Sequence, residues 1–279
     1  AILINIPGTP SAVPTQMAGY PLALRGEGGL AIGTALMFSM LGNWAGLIAL
    51  VAFVPIMIAI ALQFTVWEMF LLVMLGVAIS GTLTGREKPI KGWAMGWFGL
   101  MIAMVGKDLI HGVDRFTYDI NELRAGIKYL PVLIGLFGLT EALNVLSKKQ
   151  HKAVPSKVGR IIPPVSYIGK YWKTALRSSA VGTIIGAIPG AGANIAAFVS
   201  YTLGEQASGK KFSEGDVEGV ICGEVANNAN VGGGLLPTMT LGIPGNSSSA
   251  LIIAALALHG IIVGPNINHD HPGFMYFLY

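Results

Sequence analysis

Apolar residues in this chain come in long blocks rather than in alternation with polar ones. Apolar blocks at about 29–54, 66–84, 90–106 and 127–146 predict helices that cross a membrane. A span needs about 20 residues, so the block at 90–106 is the shortest of the set. The stretch 55–65 opens at Pro55 and is read as lying partly in the membrane interface. A transmembrane β-barrel would show short alternating segments, and these blocks do not alternate.

After residue 177 the pattern changes. Residues 178–203 are apolar but broken at Pro189-Gly190, and a charged loop follows at 204–219. The stretch 220–265 then mixes apolar residues with an acid, four asparagines and several helix breakers. Ile-Pro-Gly occurs three times, at 6–8, 188–190 and 243–245. From Gly232 to Pro265 the only ionisable side chain is His259. Proline inside a helix removes a backbone hydrogen bond at about 3 kcal/mol or more. In lipid the freed groups must find partners in protein or in cavity water. The pattern therefore predicts an all-α polytopic membrane protein with discontinuous or re-entrant helices at its Pro-Gly motifs.

The segments at 4–21 and 241–265 share Ile-Pro-Gly, a following serine (Ser11, Ser248) and a later glycine and proline. This predicts two structurally related halves. Residues 1–147 hold part of the first half, 148–177 form a basic loop, and 178–279 hold the second. A further motif of the first half would fall before residue 1, and the chain stops at "FMYFLY". It is read as an internal piece of a longer protein.

Composition supports the membrane reading. The chain of 279 residues is 53% hydrophobic and 11% charged, with 38 glycines; its mean hydropathy is +0.63. The net charge of +4 is unevenly spread. Lys148, Lys149, Lys152, Lys157, Arg160, Lys170, Lys173 and Arg177 cluster, and no acid falls between Glu141 and Glu205. Such a basic segment beside spans predicts a cytoplasmic loop rather than a nucleic-acid surface. Alternation then puts 85–89 and 20–28 inside, and 107–126 and 55–65 outside. The single cysteine, Cys222, excludes an intrachain disulfide and a CxxC metal pair. His269 and His271 flank Asp270, a pattern read as a solvated loop or a surface metal site. "ASGKKF" lacks the spacing of a phosphate loop, and neither GxSxG nor HExxH occurs, so no enzyme is predicted. Asn246-Ser247-Ser248 matches a glycosylation sequon in an unsuitable apolar context.

Each Pro-Gly break predicts free amides at one half-helix start, which suit anions, and free carbonyls at the other half-helix end, which suit Na⁺ or a proton-bearing group. Substrate-binding candidates are Pro7, Gly8, Thr9 and Ser11; Pro189, Gly190, Ala191, Gly192 and Asn194; and Pro244, Gly245, Asn246 and Ser247, with Ser248 and Ser249 beside them. Glu224, Asn227, Asn228 and Asn230 form a second polar cluster, the first three on one helical face. With Thr238, Thr240 and Gly242, the residues Glu224, Asn227 and Asn228 are the coupling-ion candidates. Glu224 is read as a cation ligand, a proton carrier or a headgroup-level acid. Tyr201 is read as an interfacial anchor, and Glu205 is left without a role.

"GAIPGAGANIAAFVSY", "GEVANNANVGGGLLPTMTLGIPGNSSSALIIAAL", "HGIIVGP", "IPGTPSAVPTQMAGYPLALRGEGG" and "FTYDINELRAGIKYLPVLIGLFGLTEAL" resemble the large membrane subunit of the tripartite tricarboxylate transporters. The resemblance covers essentially the whole chain. It implies a binding-protein-dependent secondary importer in the bacterial inner membrane, driven by an ion gradient and needing no cofactor. The implied partners are a smaller membrane subunit, a periplasmic solute-binding protein, a small carboxylate and the lipid bilayer, with no nucleic acid. The motif positions it implies are Pro7, Gly8, Thr9, Pro10 and Ser11; Pro189, Gly190, Gly192 and Asn194; Glu224, Asn227 and Asn228; and Pro237, Thr238, Gly242, Pro244 and Gly245. Asn5 stands where the family usually has glycine, Ala18 where it often has aspartate, and Asn246-Ser247-Ser248 is more polar than the common version. These departures lie near the expected ligand, so a citrate-like di- or tricarboxylate is implied rather than citrate itself. A passive anion channel is the alternative that the same breaks allow.

Overall fold

A computed structural model describes residues 1–3, 5, 7, 9–63, 89–108, 113–127, 161–271 and 273–274, with isolated positions within 65–74 and 131–143. The expected spans at 66–84 and 127–146, the start of the basic loop at 148–160, Gly8 and the Ser247 side chain lie outside the described residues.

The described chain is mainly helical and falls into two compact units. The first comprises 1–62, 149–249 and 263–279, the second 63–148 and 250–262. In the first unit a 3-10 turn, Pro10–Ala12, leads into α1 (Val13–Leu24) and α2 (Gly28–Ala61). In the second, α3 (Pro89–Ala103) precedes a two-stranded antiparallel pair, β1 (Gly106–Lys107) and β2 (Asp114–Arg115), and a single turn, α4 (Asn121–Arg124). Then come α5 (Ser166–Gly186), α6 (Gly192–Ser208), a 3-10 turn Phe212–Glu214 and α7 (Val217–Leu241), all in the first unit. The helix α8 (Ser247–Leu258) begins in the first unit and continues into the second, and α9 (Ile267–Asp270) closes the order.

Among the described residues, α2 is the one helix long and apolar enough to cross a membrane. Its 34 residues span about 51 Å, well beyond a hydrocarbon core of about 30 Å. The expected break at Pro55 does not occur; Pro55 lies inside α2, which runs on to Ala61. The segment 90–106 forms the 15-residue α3, about 22 Å long. Within the segment 107–126 the strands β1 and β2 pair, and Arg115–Asp108 at 2.8 Å and Arg124–Asp114 at 3.0 Å add ion pairs around them.

The first unit is built around α7. Residues 219–223 of this helix are buried in succession, which steps of 100° permit only when neighbours lie on every side. Those neighbours are α2, α5, α6 and α1. Glycine sets how close two of them come. A Cβ on Gly42 or Gly46 of α2 would lie 2.5 Å from Val225 O or 2.6 Å from Ala229 O. On α5, a Cβ on Gly182 or Gly186 would lie 2.4 Å from Ala226 O or 2.8 Å from Asn230 O. Both pairs follow the GxxxG spacing that lets membrane helices touch backbone to backbone.

These contacts also fix direction. Thr174 meets Glu218, Gly182 meets Ala226 and Gly186 meets Asn230, so α5 runs parallel to α7. Gly42 and Gly46 show the same for α2, while α1 runs the other way, with Thr15 at Glu224 and Ala18 at Gly219. Away from α7, α2 exposes Leu36, Met40, Trp44 and Ile48, an apolar face suited to lipid.

Candidate functional site

Two helix-breaking turns meet at the far end of α5 and α7. The helix α5 stops at Gly186 and α6 starts at Gly192. Gly190 (φ 80°) and Gly192 (φ 69°) adopt left-handed backbone between them, which a side chain disfavours. The helix α7 ends on Gly242, also left-handed at φ 70°, whose N–H returns to Thr238 O at 3.2 Å while Ile243 N reaches Pro237 O at 3.4 Å. This pairing satisfies the last carbonyls of α7. Gly190 N donates to Gly245 O at 3.1 Å, joining the two Pro-Gly turns directly. Gly245 is buried, and its own N–H donates to Thr238 Oγ1 at 3.3 Å.

Asparagines brace this junction. Asn246 Oδ1 accepts from Ser249 N at 2.9 Å and Ser249 Oγ at 2.8 Å, capping the start of α8. Its Nδ2 donates to Asn230 Oδ1 at 3.4 Å, and the wholly buried Asn230 donates to Gly182 O at 3.3 Å. Asn194 and Gly190 are exposed, and Pro189, Ala191, Gly192 and Pro244 are half-buried.

The first motif sits elsewhere on the same helices. Its turn Pro10–Ala12 packs on α6 and α7. Ser11 is buried, Thr9 is exposed, and their hydroxyls lie 3.0 Å apart. Pro7 is half-buried.

The coupling-ion candidates fall into two groups along α7. Thr238 and Thr240 are buried, and their hydroxyls donate to Gly234 O at 2.5 Å and Leu236 O at 2.7 Å. Glu224 lies 14 residues before Thr238, about 21 Å along the axis. Its Oε1 accepts from Thr15 Oγ1 and its Oε2 from Ser39 Oγ, each at 2.7 Å. Asn228 Nδ2 donates to Glu224 O at 2.9 Å, and Asn227 is half-buried beside it. A cavity of about 410 Å³ opens beside Glu224, lined also by Thr15, Ile32 and the first residues of the chain, Ala1, Ile2 and Leu3.

Sequence reasoning passed over Thr15, Ser39 and the four glycines. The signals were present: GxxxG pairs at 42–46 and 182–186, and lone hydroxyls inside uncharged helices. Tyr201 corrects the expectation of an interfacial anchor. It is 4% exposed, edge-on to Phe212 at 5.4 Å between ring centroids, because it faces the core seam rather than lipid. Glu205 accepts from Phe212 N at 2.8 Å. His269 pairs with Asp270 at 3.1 Å on the surface, and no metal-holding cluster of three such residues exists among the described residues.

The opposite end of the first unit carries its charge. Arg25 donates to the carbonyls of Glu214 and Gly215, and Lys210 pairs with Asp216 at 3.1 Å. The hydrogen bond that Lys210 donates to Asp216 holds the ammonium above its ordinary pKa. The basic segment 148–177 is helical from Ser166 onward, which carries Lys170, Lys173 and Arg177 on the first turns of α5 at this same end.

A family model described as "Tripartite tricarboxylate transporter TctA family" matches residues 1–279. The chain is 33% identical over 279 residues to "Uncharacterized 52.8 kDa protein in TAR-I ttuC' 3'region" of Agrobacterium vitis, covering 99% of this chain and 55% of that protein. It is 37% identical over 97 residues to "Uncharacterized protein in TAR-II ttuC' 3'region" of the same organism, covering 34% of this chain and 40% of that protein. The chain thus spans about half the length of the curated relatives it matches. No solved structure matches.

Proposed function

Because the chain belongs to the tripartite tricarboxylate transporter TctA family, we propose that it forms part of the membrane subunit of a secondary importer for small di- or tricarboxylates. The observation that carries this reading is the hydrogen bond from Gly190 N to Gly245 O, which joins two helix-breaking turns. Two helices, α6 and α8, start within a few residues of that bond, and free amides at helix starts suit carboxylates. Paired broken helices are the usual architecture of a carrier's central site. Transport, not catalysis, is the activity proposed.

The finer assignments extend that reading. The protein would be multi-pass in a bacterial inner membrane, with two related halves, and would work with a small membrane subunit and a periplasmic solute-binding protein. The basic end of the first unit, with Arg25, Lys170, Lys173 and Lys210, would face the cytoplasm, following the charge rule. A Na⁺ or proton gradient would supply the energy. The Pro-Gly residues 189–192 and 244–247, with 7–11 from the first motif, would hold the substrate. Glu224, Asn227, Asn228, Thr238, Thr240 and Gly242 would hold or frame the coupling ion.

The test is uptake by the full-length protein with both partners, in vesicles offered labelled carboxylates. Inward Na⁺, inward proton and no gradient are compared. Accumulation above equilibrium under one gradient supports the carrier. Equilibration indifferent to gradients refutes it and points to a passive anion channel.

A further inference from the structure

A carboxylate inside a helical membrane bundle needs a partner for its charge, and Glu224 has none among the described residues. Its neighbours α1 and α2 contain no charged residue between Val13 and Leu24 or between Gly28 and Ala61. On α7 itself the other charged residue is Glu218, which accepts from Thr174 at 2.6 Å and lies 3.8 Å from Lys210. Arg177 on α5 reaches Cys222 Sγ at 3.8 Å. Cys222 is two residues from Glu224, hence about 200° around the helix, on its other side. Lys170 and Lys173 lie over the Tyr171 and Trp172 rings, and Arg25 serves the carbonyls of Glu214 and Gly215. Among the described residues no cation stands within ion-pair distance of Glu224.

We propose that Glu224, Thr15 and Ser39 form the binding site of a single alkali-metal cation, the ion coupled to transport. This deepens the carrier reading above and rests on it. Three helices converge on the spot, each supplying oxygen: the carboxylate from α7, one hydroxyl from α1 and one from α2. Each carboxylate oxygen lies 2.7 Å from one hydroxyl oxygen. An all-oxygen set suits a hard cation. One negative charge balanced by one positive leaves the bundle neutral, whereas a divalent ion would exchange one uncompensated charge for another. On the cation's arrival the hydroxyls of Thr15 and Ser39 turn lone pairs toward it and donate their hydrogen bonds instead to a carbonyl three or four residues earlier in the chain, a bond open to Ser and Thr in helical backbone. The cation then ties α1 and α2, from the first half of the sequence, to α7 from the second. That gives ion binding a mechanical consequence across the seam that transport must work.

The experiment is thermal unfolding of the purified full-length protein in NaCl, KCl or choline chloride at fixed pH and ionic strength, each with and without a labelled carboxylate. Na⁺ is expected to raise the unfolding midpoint of the wild type over choline. Glu224→Gln is expected to lose that rise while keeping its midpoint in choline, and Thr15→Ala or Ser39→Ala to need roughly tenfold more Na⁺. A Na⁺ effect that survives Glu224→Gln overturns the site and leaves the carrier reading intact. A wild type blind to both alkali ions but stabilised by acidification, an effect lost in Glu224→Gln, overturns the cation in favour of a proton. If instead a carboxylate shifts no variant, the wild type included, the carrier reading fails on its own evidence. The two hydroxyl variants keep the proposal testable should Glu224→Gln not fold.

Discussion

Replacing Gly245 by alanine tests whether the joined Pro-Gly turns matter. The added Cβ would lie 2.6 Å from Gly234 Cα, 2.7 Å from Gly234 O and 2.9 Å from Gly186 O. All three are backbone atoms, so no side chain can swing aside. The tip must retreat by about 0.8 Å or more to restore ordinary carbon contact. Overpacking of this kind costs about 1–3 kcal/mol. Loss of the bond from Gly190 N adds about 1 kcal/mol. The sum is about 2–4 kcal/mol, roughly a 30- to 700-fold shift against joined turns. Gly99→Ala is the control, since a Cβ there meets nothing within 4 Å and α3 should gain about 1 kcal/mol in helix propensity. Both variants are assayed in the full-length protein for uptake per inserted molecule and for thermal unfolding. The expected result is strong loss in Gly245→Ala and none in Gly99→Ala. Equal behaviour of the two would refute the reasoning.

Two further substitutions probe the caps. Asn246→Ala removes the side chain that accepts from Ser249 N and Oγ; α8 should lose about 1 kcal/mol, seen as faster amide exchange in its first turn. Asp216→Ala removes the acceptor for Glu218 N at 2.8 Å and the partner of Lys210, and should lower stability by about 1 kcal/mol at neutral pH. Because Asp216 raises the Lys210 pKa, that pair's contribution is complete below the ordinary lysine value of about 10.4 and fades as pH rises through the raised one. Wild type and variant should therefore converge partway at alkaline pH in a denaturation series, the cap component remaining.

The breaks at Pro189-Gly190 and Pro244-Gly245 were legible because proline and glycine together leave a helix little option, and the helices do stop at Gly186 and Leu241. Proline alone misled. Pro55 and Pro237 lie inside continuous helices. Just after Pro237 the hydroxyls of Thr238 and Thr240 bond the Gly234 and Leu236 carbonyls one turn back, within the unbroken helix. The acid at 224 was legible as an oddity, but its partners were not. Thr15 is 209 residues away and Ser39 is 185, and no local periodicity reports such a meeting. Glycine content was plain in the composition. Which glycines grip α7 depends on the rotation of each helix, which an unbroken apolar run leaves open because every face reads alike.

The 209-residue separation between Thr15 and Glu224 also sets an order of assembly. At about 5–20 residues per second, synthesis needs about 10–40 s after Thr15 before Glu224 exists. Throughout that interval α2 must wait with its glycine face uncovered, which an uncharged helix of 34 residues can do in lipid. The later helix has no such independence. With Glu224, Asn227, Asn228 and Asn230 along it, α7 would be a poor lodger in bare hydrocarbon, and it finds a place because a groove has been kept for it. The first 61 residues thus act as a template, and damage there should appear as failed insertion of a segment that itself carries no defect.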